Sequence, residues 1–307
     1  MKKEYAGGIF MLRVRQQIGI SKELMEKLPH NNVTVAVLDS GIANHPDLQG
    51  RVAAFRDFVN GRKMPYDDNG HGTHVCGILC GNGRMSEGNY CGVAPQISLV
   101  VGKVLNKKGE GNADHMLMGL KWLEEIKGKY NIRIINISVG IGELKEKAKE
   151  RALQKQLEKL WEMGVTIVCA AGNKGPLDDS ISAISMNMEL ITVGCHDGMY
   201  CKDNPKRCET YSGRGRFGTI PRKPDIVAPG TDIISCNTSY GRSPYVKKSG
   251  TSMATPIVSG VLALALQKEP DLTNKELRQR ITFSARDLGE PWNKQGWGMV
   301  DAGKMLW

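Results

Sequence analysis

The stretch Lys248-Ser249-Gly250-Thr251-Ser252-Met253-Ala254-Thr255-Pro256 is followed by an apolar run from Ile257 to Leu266. A run that is apolar on most faces predicts a helix through the middle of a domain. Ser252 then falls in the first turn, among unpaired backbone N–H groups and the positive end of the helix dipole. A hydroxyl held there can attack a carbonyl, and the N–H groups can hold the oxyanion that forms. The ordinary alternative is a serine N-cap, the usual role of Ser or Thr ahead of an apolar run.

A serine nucleophile needs a base, and the base needs an orienter. Asn69-Gly70-His71-Gly72-Thr73-His74-Val75-Cys76-Gly77 supplies a candidate base in His71, flanked by glycines that let backbone approach a reacting centre. Val33-Thr34-Val35-Ala36-Val37-Leu38-Asp39-Ser40-Gly41 reads as a buried strand ending in a carboxylate and a turn. Taken singly, such an Asp is usually a turn residue and such a His usually structural.

Together, the Asp39 strand, the His71 glycine box and Gly250-Thr251-Ser252-Met253-Ala254-Thr255-Pro256 resemble the subtilisin family of serine peptidases, in its intracellular bacterial form, with the triad order Asp, His, Ser. Ala170-Ala171-Gly172-Asn173, after the strand from Val165 to Cys169, is a fourth match. The resemblance runs from about Val14 to about Leu306. It implies Ser252 as nucleophile, His71 as base, Asp39 as its orienter and Asn173 as oxyanion donor. It also implies a substrate laid as an added strand between the edges Gly109-Glu110-Gly111 and Ser138-Val139-Gly140. Ala170, Ala171 and Gly172 would wall the P1 pocket. Ser182 would lie near the base of that pocket, and Asn69 and Ser40 near P2. None of the three is charged, so large apolar P1 residues are expected, with Glu110 adding a preference for Lys or Arg at P4.

The chain departs from the family pattern in places. Ile257 follows Pro256 where relatives carry His, and Ser182-Ala183-Ile184-Ser185 lacks a Pro-Gly pair. No cofactor is required by these motifs. By the same resemblance calcium is the metal to test for, with Asn82 as a candidate ligand on a long loop, Gly81 to Tyr90, and Asp47 as the early Asp that would assist it. Cys195, His196, Cys201 and Cys208 form a second soft-ligand group, suited to zinc by type but not by spacing; free thiols are the plainer reading, with no structural disulfide.

The chain has 307 residues and a formal charge of +10, from 42 basic and 32 acidic side chains. That length supports a full core. The basic residues are scattered among acids, as on solvated helix faces, and no nucleic-acid module is present. No apolar stretch is long enough to span a membrane or serve as a signal-peptide core, so the expected location is cytoplasmic. The expected partners are protein or peptide substrates, with neither nucleic acid nor membrane. Strands alternating with helices along the chain predict an α/β fold, a parallel sheet covered by helices on both faces. Gly213-Arg214-Gly215-Arg216-Phe217-Gly218 satisfies the dinucleotide pattern, but no strand leads into it and Pro221 and Pro224 follow it, so that reading is rejected.

The domain reading is a short N-terminal extension, residues 1–12, and a peptidase domain, residues 13–307. The strip Ile9-Phe10-Met11-Leu12 could lie in the cleft as a tethered inhibitor or pack on the body of the domain. The functional expectation is a serine endopeptidase that degrades proteins in the cell, the alternative being a processing protease dedicated to one partner.

Overall fold

A computed structural model describes residues 10–29, 31–140, 146–199, 207–216, 218 and 220–307. Seven strands form one parallel sheet: β1 (Thr34–Asp39), β2 (Val52–Asp57), β3 (Ser98–Lys103), β4 (Ile132–Ile137), β5 (Thr166–Ala170), β6 (Ile191–Cys195) and β7 (Ile226–Ala228). Their spatial order is β2-β3-β1-β4-β5-β6-β7. A separate antiparallel hairpin joins β8 (Ile233–Cys236) to β9 (Tyr245–Lys248). The helices are α1 (Phe10–Gln17), α2 (Lys22–Lys27), α3 (His71–Cys80), α4 (Ala113–Tyr130), α5 (Lys147–Glu162), α6 (Thr251–Lys268), α7 (Asn274–Phe283), α8 (Trp292–Gln295) and α9 (Ala302–Leu306).

The inner strands β1, β5 and β6 are buried on both faces, so their sequences are continuous apolar runs rather than alternating ones. Side chains still alternate between faces. On β1, Val35 and Val37 point into a core shared with α1, α3 and α6, while Ala36 and Leu38 point into a second core shared with α4 and α5. The sheet is therefore covered on both sides, as the alternation of elements predicts.

Helix α6 is buried along nearly its whole length, from Thr251 to Gln267 apart from Ser252. It packs against α3 and against the sheet. Its apolar-all-round sequence is thus explained by position. Helix α1 was not foreseen. It buries Met11 and Val14 completely, with Ile18 buried just beyond its end, so the boundary expected after Leu12 falls inside a helix packed on the domain body. Ile9, the first residue of the strip considered as an inhibitor, lies outside the described residues.

Cys195 and Cys208 form a disulfide across 13 positions. This corrects the expectation of eight free thiols. It also removes two of the four soft ligands considered for zinc, and Cys201 lies outside the described residues. Five other cysteines are free, and Cys76, Cys80, Cys169 and Cys236 are buried as small core residues. Burial pushes the thiols of Cys80 and Cys169 up to about 12, which makes them inert.

Candidate active site

Asp39 ends β1 and Asn173 follows β5, so both stand beyond the carboxyl ends of parallel strands, where open α/β sheets place their sites. The Asp39 side chain is fully buried. Its Oδ1 accepts from His71 Nδ1 at 2.7 Å and from the Ser40 N–H at 2.7 Å. The bond to Nδ1 leaves Nε2 of a neutral His71 as the free proton acceptor. Burial disfavours the imidazolium, but the charge and hydrogen bond of Asp39 outweigh it, and the His71 pKa is raised above its ordinary 6.5.

His71 is held by its own loop. Gly70, at φ 88°, turns the chain into α3 and serves as its N-cap position. Asp67 gathers this turn: its carboxylate accepts from the N–H groups of Asn69, Gly70 and Thr73 and from the hydroxyls of Ser40 and Thr73, at 2.7–3.1 Å. Burial alone would raise the Asp67 pKa; the Thr73 hydroxyl and the backbone donors overcome it and lower it. Ser40 accepts in turn from the Gly72 N–H. Lys103, opposite Asp39 in the sheet register, is fully buried. Its ammonium donates to the carbonyls of Ser40 and Leu105 and to Asp68, at 2.7–2.8 Å. One cation thus ties together the turn after Asp39, the His71 loop and the loop that leads to Gly109. Neither Asp67 nor Lys103 was singled out from sequence; the signal was a lone Lys in an apolar strand beside the Asp39 strand.

Ser252 lies in the first turn of α6. Gly250 precedes the helix at φ 144°, and a Cβ there would stand 3.1 Å from Asn173 Nδ2, so the motif needs glycine at that place. Pro256 lies inside α6, four residues after Ser252, and so removes the helical bond to the Ser252 carbonyl. Asn173 Oδ1 accepts from the N–H and the hydroxyl of Thr251, both at 3.1 Å. These two donors settle which end of the amide is oxygen. The Nδ2 group is left beside Ser252 with no acceptor among the described residues. Thr251, the orienter of Asn173, was not foreseen either.

Ser252, Thr251, Asn173, Gly140, Ala170, Gly172 and Ser182 line one cavity of about 430 Å3. Two of its lining residues, Ser182 and Ala170, are joined through the buried Ser185, Ser182 Oγ to Ser185 Oγ and Ser185 Oγ to the Ala170 carbonyl, both 2.8 Å. Lys174 and Asp179, opposite in charge and exposed, stand at its rim. Ala171 is buried and hydrogen-bonds to Val193, and Ser138 accepts from Asn136 within the core. Gly109, Glu110 and Gly111 form an exposed turn, with Glu110 accepting from Asn106 at 3.1 Å. Val139 is half-buried after β4. Among the described residues no hydrogen bond joins His71 to Ser252; the two stand on the neighbouring helices α3 and α6.

Asp47 does not resemble a calcium ligand. It is buried, and both carboxylate oxygens are used, Oδ1 by the Met85 N–H at 2.9 Å and Oδ2 by the Tyr245 hydroxyl at 2.7 Å. Asn82 bonds Arg84 through its side-chain oxygen. The metal-ligating types grouped with Asp47 are His45 and Cys236. A nitrogen and a sulfur beside one carboxylate do not fit a hard cation that takes six to eight oxygens.

The model of the subtilase family matches residues 30–298. The chain is 39% identical to serine protease AprX of Bacillus subtilis over 272 residues, 83% of this chain and 62% of that protein. It is 34% identical to subtilisin Savinase of Lederbergia lenta over 90% of this chain and 91% of that protein. The chain therefore spans less than two thirds of some curated relatives and nearly the whole of others. Among solved structures, Sphericase gives a TM-score of 0.76 at 28% identity, covering 89% of this chain and 92% of its own. A cold-adapted subtilisin-like serine proteinase gives 0.68 at 29%, with 90% and 89% covered. These relatives correct the cytoplasmic expectation: the alkaline proteases and subtilisins among them are secreted, extracellular enzymes. A buried disulfide agrees with an oxidising compartment. No helix among the described residues is long and apolar enough to cross a membrane.

Proposed function

The chain belongs to the subtilase family, and from that premise we propose that it is a serine endopeptidase acting through Asp39, His71, Ser252 and Asn173. The observation that carries the reading is the pair of fixed hydrogen bonds on either side of the cleft, Asp39 to His71 and Thr251 to Asn173. The first leaves an imidazole nitrogen able to accept a proton. The second leaves an amide N–H2 able to donate.

In this reading His71 Nε2 takes the Ser252 proton as Oγ attacks the peptide carbonyl. The imidazolium is stabilised by Asp39, which is why its pKa is raised. The carbonyl oxygen becomes an oxyanion between Asn173 Nδ2 and the Ser252 N–H, which is unpaired because it belongs to the first helical turn. His71 then gives its proton to the leaving amine, and water attacks the acyl-enzyme by the same route in reverse. Gly109 to Gly111 and Ser138 to Gly140 serve as the edges for an extended substrate. The cavity beside Ser252, with the neutral Ser182 in its lining, takes a large apolar P1 side chain.

The test is covalent. A fluorophosphonate probe should label the protein at Ser252, as read by peptide mapping, and Ser252→Ala should abolish both labelling and peptide hydrolysis without loss of fold. Labelling elsewhere, or full turnover by Ser252→Ala, refutes the mechanism. Mass spectrometry of fragments from a denatured protein reads the P1 preference.

A further inference from the structure

The chemistry at Ser252 leaves unused a basic and aromatic face beside its cavity. A second cavity, about 190 Å3, is lined by Arg216, Gly218, Arg222, Lys223, Trp292 and Asn293. Lys223 is committed within the fold, donating to the Leu190 carbonyl and to Asp225 at 2.6–2.7 Å. Arg222 is not. It is exposed, its guanidinium stands over the Trp292 ring at 5.6 Å, and no carboxylate among the described residues pairs with it. The Trp292 indole N–H is buried and has no acceptor among the described residues.

From Trp292 the rings continue outward. Trp297 meets Trp292 edge to face at 5.0 Å, and Phe283 meets Trp297 at 5.7 Å. Trp297 is 44% exposed and Phe283 67%. Exposed aromatic rings in line with a stacked, unpaired arginine are the composition of binding hot spots rather than of ordinary surface. The face is also joined to the substrate cavity. Asn293 donates to Asp178 at 2.8 Å, Arg216 approaches Asp179 at 4.0 Å, the Ser180 N–H donates to the Arg214 carbonyl, and the Arg214 N–H donates to the Ser180 hydroxyl. Asp179 and Ser180 line the cavity of Ser252.

We propose that this face is an exosite for the polypeptide substrate, which takes an acidic side chain at Arg222 and a neighbouring apolar side chain across Trp297 and Phe283. It rests on the reading of the Ser252 cavity as a substrate cleft. The Trp292 ring attracts the guanidinium as a cation–π partner, and a guanidinium can meet a carboxylate through two parallel N–H bonds. The neighbouring aromatic surface supplies the apolar half of the contact.

The experiment compares three substrates: a short chromogenic peptide that fills only the cleft, and two longer peptides identical except that a flanking Glu-rich segment is Gln-rich in the second. The Glu peptide should be cleaved with kcat/KM about fivefold above the Gln peptide, the worth of one charge-assisted contact, and the difference should lie in KM. Sodium chloride at about 0.5 M should erase it. Arg222→Gln should bring the ratio to one, Trp297→Ser should lower kcat/KM for both long peptides alike, and each should leave short-peptide turnover unchanged; Arg222→Lys should keep part of the ratio. An active enzyme that cleaves both long peptides equally, or a ratio untouched by Arg222→Gln, overturns the exosite. Failure of the wild type on the short peptide overturns the peptidase reading instead.

Discussion

His74 makes acid stability the sharpest test of this structure. It lies three residues beyond His71 on α3 and is fully buried. Its Nε2–H is shared between the carbonyls of Ile233 and Val246, at 3.1 and 3.0 Å, and so fastens α3 to the β8–β9 hairpin. Nδ1 is buried with no partner among the described residues. Burial, aided by the charge of Lys248, holds its pKa down to about 3, against 6.5 for free imidazole. Between those values the unfolded chain takes up a proton that the folded chain refuses. Stability therefore falls as pH falls through this window, by about 1.4 kcal/mol per unit, or roughly 3 kcal/mol between pH 6.5 and pH 4. That is a large part of the ~5–15 kcal/mol available to a typical domain. The assay is urea unfolding followed by tryptophan fluorescence at pH 7, 5.5 and 4, in a Ser252→Ala background to prevent self-digestion. His74→Asn keeps an N–H donor and has no proton to take up. It should be less stable than its parent at pH 7, and the gap should close by about 3 kcal/mol on going to pH 4. Other titrating groups, Asp67 and His71 among them, are common to both proteins and cancel. Parallel curves, with a gap independent of pH, would show that His74 is not the group whose protonation opens the fold.

Four further outcomes follow from the site and its supports. Asn173→Leu should lower kcat by about a hundred- to thousandfold with little change in KM, as loss of the corresponding donor does in subtilisin. The acid limb of kcat/KM should have its midpoint above 6.5, because the Asp39 carboxylate raises the His71 pKa and the base must be neutral. Thiol titration in denaturant without reductant should find two fewer than the eight cysteines, and Cys208→Ala should lower unfolding stability by about 3 kcal/mol. Lys103→Met should cost about 3–5 kcal/mol in chemical unfolding, since it leaves Asp68 and two carbonyls around a buried site without their cation.

The strands and long helices were legible because burial on both sheet faces writes continuous apolar runs, and capping residues mark their ends: Ser21 caps α2 and Thr273 closes a capping box on α7. Asp39, His71 and Asn173 were legible because each sits at an element end beside glycines. What stayed hidden has physical causes. The edge strand β2 is half-exposed and reads Val-Ala-Ala-Phe-Arg-Asp, with no clean period. Helix α1 carries arginines between its buried residues, and its docking is visible only in three dimensions. Asp67 and Lys103 act through contacts with residues distant in the chain. The pairing of Cys195 with Cys208 rather than with Cys201 is a matter of fold, because spacing alone permits any of the pairs.

The burial of α6 has a consequence for how such a protein survives its own company. In concentrated solution every copy is exposed to cleavage by every other, and cleavage needs an extended, accessible backbone. The turn carrying Ser252 is the end of a helix that runs through the core, not a flap on the surface. It cannot open alone; exposing it exposes the centre of the molecule. Cutting at the Ser252 turn and losing the fold are thereby one event. Cleavage there is then governed by the rate of global unfolding, which is first order and steep in temperature, and dilution slows it little.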